Sequence, residues 1–345
     1  MDNLLYELKL DGVLITSSYN MRYVSGFSGG EGAVLITPQQ KYIFVDGRYT
    51  IQAKEQTKGF TVVEFKKGLF FELGNFSFDN LGIEEDFVTF SFYKKLKEVY
   101  KNCEFTGISS YLETKRSVKS DKEILYIKKA EEIGDKAFSY VLGLIKEGVS
   151  EKYLATKLEY FMKKNGADGI AFDTIVAFGE RCALPHACPT DRKLQYNEFV
   201  LLDFGCIVNG YCGDMTRTVY FGKASKDEKE IYDLVLKAQT ESMQKIKPGA
   251  KCSDVHNVAV KVLKEKNING YFTHSLGHGV GLKIHEKPTL SPQSTITLCE
   301  NMVVSVEPGV YFENNYGIRI EDLIVVTKEG YCNLAQSSKS FIEIN

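Results

Sequence analysis

Two aspartates on either side of a predicted turn are the first candidates for chemistry. Asp203 and Asp214 lie in apolar runs that flank Asn209-Gly210, a dipeptide that favours a tight hairpin because both of its residues tolerate positive φ. A hairpin centred on this turn pairs Asp203 with Thr216 and places both carboxylates on one face of the sheet. As diagonal neighbours they would lie about 7–8 Å apart at the backbone, and closer at the carboxylates.

Two negative charges on a buried sheet face need compensation by a proton, a basic partner or a metal ion. The alternative is that one aspartate is a turn residue and the other is exposed. That alternative suits a single strand aspartate better than a pair placed diagonally by an Asn-Gly turn between apolar strands.

A second acidic pair lies near the end of the chain. Glu307 follows the apolar run 303–306, and Glu321 lies inside the apolar run 317–326. A loop of odd length centred on Asn314 would set Glu307 directly opposite Glu321, although the sequence leaves the loop length open.

Three of the five histidines lie close together in the sequence, at His274, His278 and His285. A single histidine is usually structural, but a cluster among glycines, which let the backbone approach closely, more often marks a site. His186 follows a proline in a loop. His256, on a predicted helix, has the pattern of an ordinary packing or surface residue.

Four carboxylates and one imidazole form a hard, oxygen-rich donor set, which favours Mn²⁺, Fe²⁺, Co²⁺ or Zn²⁺. Four negative charges are too many for one divalent ion and nearly balance two. Two metal ions roughly 3.5–4 Å apart can share a hydroxide and polarise a carbonyl, which is the chemistry of hydrolysis. A zinc site built from Cys182, His186 and Cys188 is disfavoured, because its spacing is odd and it lacks a fourth ligand.

The first third of the chain predicts a small α/β domain. Short apolar runs alternate with turns and predict strands near 12–16, 32–37 and 42–45. Helical spacing recurs over 48–58 and 91–102. The polar, charged segment 113–120 predicts a linker.

The rest of the chain contains two helix pairs of similar pattern. Ser120 with Glu123 and Ser225 with Glu228 form predicted capping boxes that begin the first helix of each pair. We expect Gly148 to end the first of these helices, and Ser150 and Ser253 to cap the second helix of each pair. A strand-like segment follows each pair, near 199–221 and 302–327. This order predicts two similar halves packed around a shared cleft.

Composition excludes several classes of protein. The 345-residue chain has a net charge of −2 and a pI of about 6.3, whereas nucleic-acid-binding domains usually have a basic patch or a pI above about 9. No apolar run approaches the roughly 18 residues that span a bilayer, and the N-terminus lacks a signal-peptide pattern. We therefore expect a cytoplasmic protein of about two domains, without nucleic-acid or membrane partners, whose eight cysteines are reduced thiols.

Taken together, the motifs resemble the pita-bread metallopeptidases (M24), the family of prolidase, aminopeptidase P and methionine aminopeptidase. The resemblance is carried by LLDFG, GDMTRT, HSLGHGVGLKIHE, VEPGVY and GIRIEDL. SSYNMRYVSGFSGGEGAVLIT and VDGRYTIQAKEQT resemble the creatinase-type N-terminal domain of prolidase and aminopeptidase P. This family resemblance implies an α/β (α+β) chain of two domains. A creatinase-type domain would cover residues 1–115, and a pita-bread domain would cover residues 116–345, with two pseudo-twofold halves that enclose a metal cleft.

The resemblance also implies the metal ligands and the substrate. Two divalent ions, most often Mn²⁺ with Co²⁺, Zn²⁺ or Fe²⁺ as alternatives, would be bound by Asp203, Asp214, His278, Glu307 and Glu321. Glu307 would also transfer the proton. The substrate would be a peptide with proline in second position, cut on the amino side of that proline by a homodimeric enzyme.

Other residues receive supporting roles from the same resemblance. His186 and His285 would stabilise the oxyanion or position the substrate, and His274 would lie near the site. Arg319, two residues before Glu321 on the same strand face, would hold a ligand carboxylate; its alternative is a surface strand arginine. Tyr311, in the VEPGVY motif, is expected to contact substrate or support a ligand.

Two departures from the family pattern bear on substrate fit. The family usually has glycine after the His186 position, where this chain has Ala187 and then Cys188, and serine before the second aspartate, where this chain has Gly213.

The alternatives to an Xaa-Pro peptidase are a catalytically inactive binding module, a general metalloaminopeptidase and a metal-independent amidinohydrolase. Prolidases cut dipeptides and aminopeptidase P trims longer peptides, and the sequence does not separate the two.

Overall fold

The computed structural model describes residues 2–345, which form two compact units, one ending at Arg116 and the other beginning at Ser117. Each unit is described by itself. Within residues 2–345, every helix is too short or too polar to cross a membrane.

The N-terminal unit is built on a six-stranded mixed sheet. Successive side chains of a strand alternate between faces, so Val13 and Ile15 pack into one apolar cluster and Leu14 into another. The strands predicted near 12–16, 32–37 and 42–45 are confirmed. The strands are β1 (Gly12–Ile15), β2 (Ala33–Ile36), β3 (Lys41–Val45), β4 (Thr61–Glu64), β5 (Asn80–Ile83) and β6 (Glu104–Gly107). Their order in the sheet is β4-β3-β2-β1-β5-β6.

Helices connect and flank these strands, and those predicted over 48–58 and 91–102 are confirmed in shorter form. They are α1 (Asp2–Glu7), α2 (Ser18–Ser25), α3 (Thr50–Gln56), α4 (Leu69–Leu73), α5 (Phe90–Val99) and α6 (Ser109–Ser117). The predicted linker 113–120 is wrong in its first part, because α6 continues to Ser117. Arg116 is buried and donates a hydrogen bond to the Asn20 side chain, so an arginine of the predicted linker packs inside the unit.

Four long helices belong to the second unit, and most of their predicted caps are confirmed. They are α7 (Asp121–Leu142), α8 (Glu151–Lys164), α9 (Lys226–Gln244) and α10 (Cys252–Lys264). Ser120 and Ser225 form the two predicted capping boxes, and Ser150 caps α8.

Two predicted helix boundaries are wrong. Helix α7 ends at Leu142, with Gly143 as its C-cap, and not at Gly148. Helix α10 begins at Cys252, so Ser253 lies inside its first turn. Lys251, the N-cap residue, has extended backbone and pairs with Thr297 in an isolated bridge.

The strands of the second unit follow the two helix pairs. After α7 and α8 come β7 (Gly169–Ile170), β8 (Ile175–Phe178), β9 (Glu198–Phe204), β10 (Cys206–Val208), β11 (Tyr211–Cys212) and β12 (Met215–Phe221). After α9 and α10 come β13 (Gly277–Gly279), β14 (Glu286–Leu290), β15 (Val303–Val306), β16 (Gly309–Phe312), β17 (Tyr316–Arg319), β18 (Asp322–Val326), β19 (Tyr331–Asn333) and β20 (Glu343–Ile344). The predicted order, a helix pair followed by strand hairpins in each half, is confirmed.

Strand β9 lies between the two halves of the core. It occupies the interior of the sheet β20-β12-β9-β8. Leu201 packs into the cluster that contains α9 and α10, whereas Val200 and Leu202 pack into the cluster that contains α7 and α8. Asp203, at an odd position like Leu201, therefore lies near the end of the strand on the face that packs toward the second half.

Candidate active site

The hairpin of β9 and β12 holds the two aspartates in the predicted register. Asn209 and Gly210 have φ angles of 49° and 80°, as a type I′ turn requires, and Asp203 pairs with Thr216. Asp203 lies near the end of β9, and Asp214 directly precedes β12. Both carboxylates are buried, so the pairing of two strands fixes two charges inside the unit.

The two glutamates lie opposite each other in the second half. Strand pairing continues in one register from β16 and β17 to β15 and β18, and this register sets Glu307 opposite Glu321. The loop is centred on Asn314, whose φ is 58°. The sequence left the length of this loop open, and the structure has a three-residue loop, 313–315, between the paired residues Phe312 and Tyr316.

His278, in β13, brings an imidazole to the four carboxylates. Its Nε2 lies 3.3 Å from Glu307 Oε1 and 3.7 Å from Asp214 Oδ2. Its Nδ1 lies 3.2 Å from the carbonyl oxygen of Gly279, which can only accept, so Nδ1 carries a proton and Nε2 faces the carboxylates. Possible ligand atoms of Asp214, His278 and Glu321 all lie within 4.8 Å of one another.

Neighbouring donors orient three of the carboxylates. Arg319 Nη2 donates to Asp203 Oδ2 at 2.5 Å, Thr216 Oγ1 donates to Glu321 Oε2 at 2.7 Å, and Ser305 Oγ donates to Glu307 Oε1 at 3.1 Å. Arg319 is buried and not a surface strand residue. It also donates from Nε to Thr216 at 3.1 Å, so one guanidinium links the two halves of the cluster.

The electrostatics of the cluster favour an added positive charge. Burial and the neighbouring carboxylates raise the pKa values of Asp214 and Glu321 well above their usual range. Burial also raises the pKa of Asp203, against the opposing effect of Arg319. Asp203 Oδ1 is buried and, among residues 2–345, accepts no hydrogen bond. A buried oxygen without a donor, beside carboxylates whose ionisation is disfavoured, fits a divalent cation with oxygen ligands.

Glu307 and His278 differ from the other members of the cluster. Burial alone would raise the pKa of Glu307, but its hydrogen bond and attraction to His278 lower that pKa to about 2. Burial alone would lower the pKa of His278, but Glu307 raises it. In the metal-free protein, Glu307 is therefore the ionised carboxylate and His278 its partner.

Glu131 is a buried carboxyl at the site that the sequence reasoning missed. Its Oε1 accepts the backbone N–H of Asp214 at 2.7 Å, and burial raises its pKa to about 8. A Cβ at Gly213 would lie 2.8 Å from the same oxygen, so the glycine that departs from the family pattern makes room for this carboxyl. A glutamate on the otherwise apolar face of α7, between Ile127 and Gly134, was the available signal.

The cluster opens into a cavity of about 640 Å³. His186 lines it from the loop between residues 183 and 198, and His285 lines it from the segment before β14. The His285 ring lies edge-on to His278, with centroids 4.3 Å apart. Apolar side chains form part of the wall: Phe172, Ile175, Pro185, Pro189 and Ile284.

His274 and Tyr311 form a relay to Arg319. His274 Nδ1 lies 2.8 Å from the carbonyl oxygen of Ser275 and must donate to it, so Nε2 accepts from the Tyr311 hydroxyl at 2.9 Å. The hydroxyl in turn accepts from Arg319 Nη1 at 2.9 Å. Burial lowers the pKa of His274, consistent with this neutral tautomer. Both residues line the cavity, and Tyr311 lies two hydrogen bonds and His274 three from the Asp203 carboxylate.

Two further sequence expectations are settled by burial. The Cys182 thiol is buried and contacts the carbonyl oxygen of Ala177 at 3.1 Å, whereas His186 and Cys188 are exposed. The different exposure of the three side chains gives no support to a zinc site at these residues. His256 is a buried packing residue of α10, whose Nδ1 accepts the N–H of Leu276.

Comparison with known families matches most of the chain. The model of metallopeptidase family M24 matches residues 126–328, and the model of the creatinase/prolidase N-terminal domain matches residues 1–118. The first match contains the whole cluster of carboxylates and histidines described above.

Individual relatives extend the likeness over the full length. The chain is 38% identical over 334 residues to the Xaa-Pro dipeptidase of Pyrococcus horikoshii, covering 96% of this chain and 95% of that protein. Among solved structures, the Xaa-Pro dipeptidase from Bacillus anthracis superposes with a TM-score of 0.96 at 39% identity, covering 99% and 97% of the two chains. The X-Pro aminopeptidase from Thermotoga maritima MSB8 superposes with a TM-score of 0.92 at 36% identity, covering 98% and 99%. The resemblance inferred from the motifs is confirmed, and the chain belongs to metallopeptidase family M24, with a creatinase/prolidase domain preceding its pita-bread domain.

Proposed function

We propose that this enzyme hydrolyses the bond before proline, in Xaa-Pro dipeptides or at the N-terminus of short Xaa-Pro peptides. The observation that carries the proposal is the convergence of four carboxylates and His278 in one cavity, where a cation is needed to balance the charge. The names of the relatives supply the substrate class, because they include Xaa-Pro dipeptidases and an X-Pro aminopeptidase.

Membership of a metallopeptidase family implies a divalent metal, and we propose two ions per chain, with Mn²⁺ the first choice. The residues that would hold them are Asp203, Asp214, His278, Glu307 and Glu321. Their charge supports two ions, since four carboxylates and a neutral imidazole nearly balance two divalent cations. When bound, such ions activate water and polarise the scissile carbonyl.

The remaining steps belong to side chains of the cavity. Glu307, which lies beside His278 in the cluster, would accept the proton of the attacking water and pass it to the leaving nitrogen. Burial and the charge of His278 lower the pKa of His285, so its neutral ring has one N–H to donate to the developing oxyanion. His186, which lines the same cavity, would also donate to the oxyanion or hold the substrate.

Proline in second position suits this cavity on chemical grounds. The imide nitrogen of proline has no hydrogen to donate, so the site need not supply an acceptor there. The apolar wall that includes Phe172 and Ile284 offers contact for the pyrrolidine ring.

The proposal is tested with matched substrates. Protein loaded with Mn²⁺ is assayed on Ala-Pro and Ala-Ala, with Asp214→Asn protein as the inactive control. We expect Ala-Pro to be cut and Ala-Ala to be cut far more slowly. Equal turnover of the two would identify a general metalloaminopeptidase, and no turnover by the loaded parent protein would identify a binding module.

Chain length and assembly are separate parts of the proposal. Comparing Ala-Pro with Ala-Pro-Ala distinguishes a dipeptidase, which cuts only the first, from an aminopeptidase that also cuts the second. The family resemblance supports a homodimer, and sedimentation equilibrium measures whether the mass in solution is twice that of the 38.9 kDa chain.

A further inference from the structure

The position of the His186 ring is set by the loop that carries it. His186 lies on the loop that joins the short helical segment Gly179–Ala183 to β9, and its ring is exposed in the cavity. Within residues 2–345 the ring makes no hydrogen bond to another residue, in contrast to His274 and His278. The backbone of the loop must therefore decide where this imidazole lies.

One buried carboxylate accepts hydrogen bonds from the chain on both sides of His186. Glu151, the first residue of α8, is fully buried. It accepts the N–H of Phe178 at 3.0 Å, before the loop. Within the loop, four residues after His186, it accepts the N–H and the hydroxyl of Thr190 at 2.8 Å and 2.7 Å. Its position at a helix N-terminus stabilises the negative charge.

Arg181 extends this anchor to the residues next to His186. Its Nε donates to both Glu151 oxygens, at 3.0 Å and 3.1 Å, and its Nη2 donates to the carbonyl oxygen of Cys188 at 2.7 Å. On the other side of His186, Arg319 Nη1 donates to the carbonyl oxygen of Pro185 at 3.3 Å. Two arginines thus hold the backbone on either side of the histidine.

We propose that the Glu151–Arg181 pair is a positioning device that holds His186 toward the substrate, an inference that rests on the proposed function. Glu151 is a fixed hydrogen-bond acceptor outside the cavity. Arg181 donates both to Glu151 and to the carbonyl oxygen of Cys188, and so links the loop to this fixed residue. The pair touches neither the substrate space nor the carboxylate cluster. Charge-assisted hydrogen bonds are among the stronger ones, and a displacement of about 1 Å at a reacting group can cost on the order of 10²-fold in rate.

Arg181→Ala is the first test, because Arg181 is partly exposed and its loss leaves Glu151 held by its three other donors. We expect a fall in kcat of roughly 10- to 100-fold, with unchanged metal content. The matched control is Lys152→Ala, which removes an exposed ion pair to Asp191 on the same loop and should leave kcat unchanged.

A double-mutant cycle separates positioning from a merely structural role. If Arg181 acts through His186, then Arg181→Ala lowers kcat in the parent protein but causes no further loss in a His186→Ala background. Losses that multiply in the double variant would overturn the inference, as would a His186→Ala variant with the activity of the parent.

Hydrogen exchange gives a readout that does not depend on turnover. We expect faster exchange of the amides of residues 184–190 in Arg181→Ala than in the parent or in Lys152→Ala, because the anchor of the loop is lost. Unchanged exchange would overturn the inference. A parent protein without Xaa-Pro hydrolysis would instead overturn the proposed function, and the exchange experiment would still decide whether the pair holds this loop.

Discussion

The cavity has two kinds of wall, and they hold their functional groups in different ways. The carboxylates of the cluster lie in or next to paired strands: Asp203 in β9, Asp214 directly before β12, Glu307 between β15 and β16, and Glu321 between β17 and β18. His186 and His285 lie in the connecting segments 184–197 and 280–285. We call the first group of residues the strand wall and the second the loop wall. On the strand wall, pairing between strands fixes the backbone of each carboxylate residue and leaves only its side-chain rotamer free. On the loop wall, the backbone position of each histidine depends on a few side-chain hydrogen bonds.

This difference has a chemical counterpart. Carboxylates that repel one another would move apart unless a rigid backbone held them. Paired strands provide that rigidity for Asp214 and Glu321, whose pKa values are raised by burial and by neighbouring carboxylates. Imidazoles that bind a substrate must allow it to enter, and a loop secured at a few points permits that. We therefore expect changes in the strand wall to abolish the reaction and changes in the loop wall to slow it.

The largest effect is expected from Asp214→Asn. The amide keeps the shape of the side chain but removes a charge that metal binding needs, so hydrolysis should be abolished while the fold is kept. The metal-free variant should be at least as stable as the metal-free parent, because repulsion with Glu321 is relieved. Activity is measured with Mn²⁺ and an Xaa-Pro substrate, and stability by thermal unfolding followed by circular dichroism, since the chain has no tryptophan. Turnover near that of the parent would remove Asp214 from the site.

His285→Ala tests the loop wall. If His285 donates to the oxyanion, its loss should lower kcat by about 10²–10³-fold, change KM little and leave metal content unchanged. His256→Ala serves as a comparison, because that histidine is buried away from the cavity. Loss of metal in His285→Ala would make it a ligand or the support of one, and a rise in KM alone would limit it to substrate binding.

Removing the metal should make stability depend on pH. Asp214 and Glu321 have folded pKa values raised above the unfolded values near 4. Between those values the folded state binds more protons than the unfolded state, so stability falls as pH rises. His278, whose pKa is also raised, adds a fall above about pH 6.5. Glu307, with a pKa of about 2, is ionised in both states above pH 5 and adds no slope there.

The measurement is the Tm of chelator-treated protein between pH 5 and pH 8. The lowered pKa values of His274 and His285 make stability rise with pH below about 6.5, so the contribution of the cluster is the difference from Asp214→Asn. We expect Tm to fall more steeply with pH in the metal-free parent than in metal-free Asp214→Asn or in the metal-loaded parent. The same slope in the metal-free parent and in metal-free Asp214→Asn would show that the cluster is not held under mutual repulsion.

The smallest effect is expected from Tyr311→Phe. The variant keeps the ring but loses the hydroxyl that joins His274 to Arg319. A net hydrogen bond is worth about 0.5–1.5 kcal/mol, so kcat should fall less than about tenfold. Tyr316→Phe, on the neighbouring strand, is the matched control and should have the activity of the parent. A loss as large as that of His285→Ala would assign Tyr311 a direct part in the reaction.

The strand wall was predictable from the sequence, and the loop wall was not. An Asn-Gly turn between apolar runs determines the pairing of Asp203 with Thr216, because side chains alternate strictly along a strand. The role of Arg181 depends on where Glu151 meets residues far along the chain, which no local pattern specifies. Glu131 was predictable in part. An acidic residue on an apolar helix face indicates a site, but the sequence does not show that its carboxylate accepts the backbone N–H of Asp214.

The two-metal cluster is tested most directly by titrating the chelator-treated protein with Mn²⁺ while following both heat and Xaa-Pro hydrolysis. We predict saturation at two ions per chain, with full activity reached only at the second, and at most one ion bound by Asp214→Asn. Saturation at a single ion with full activity would contradict the two-metal account of this site.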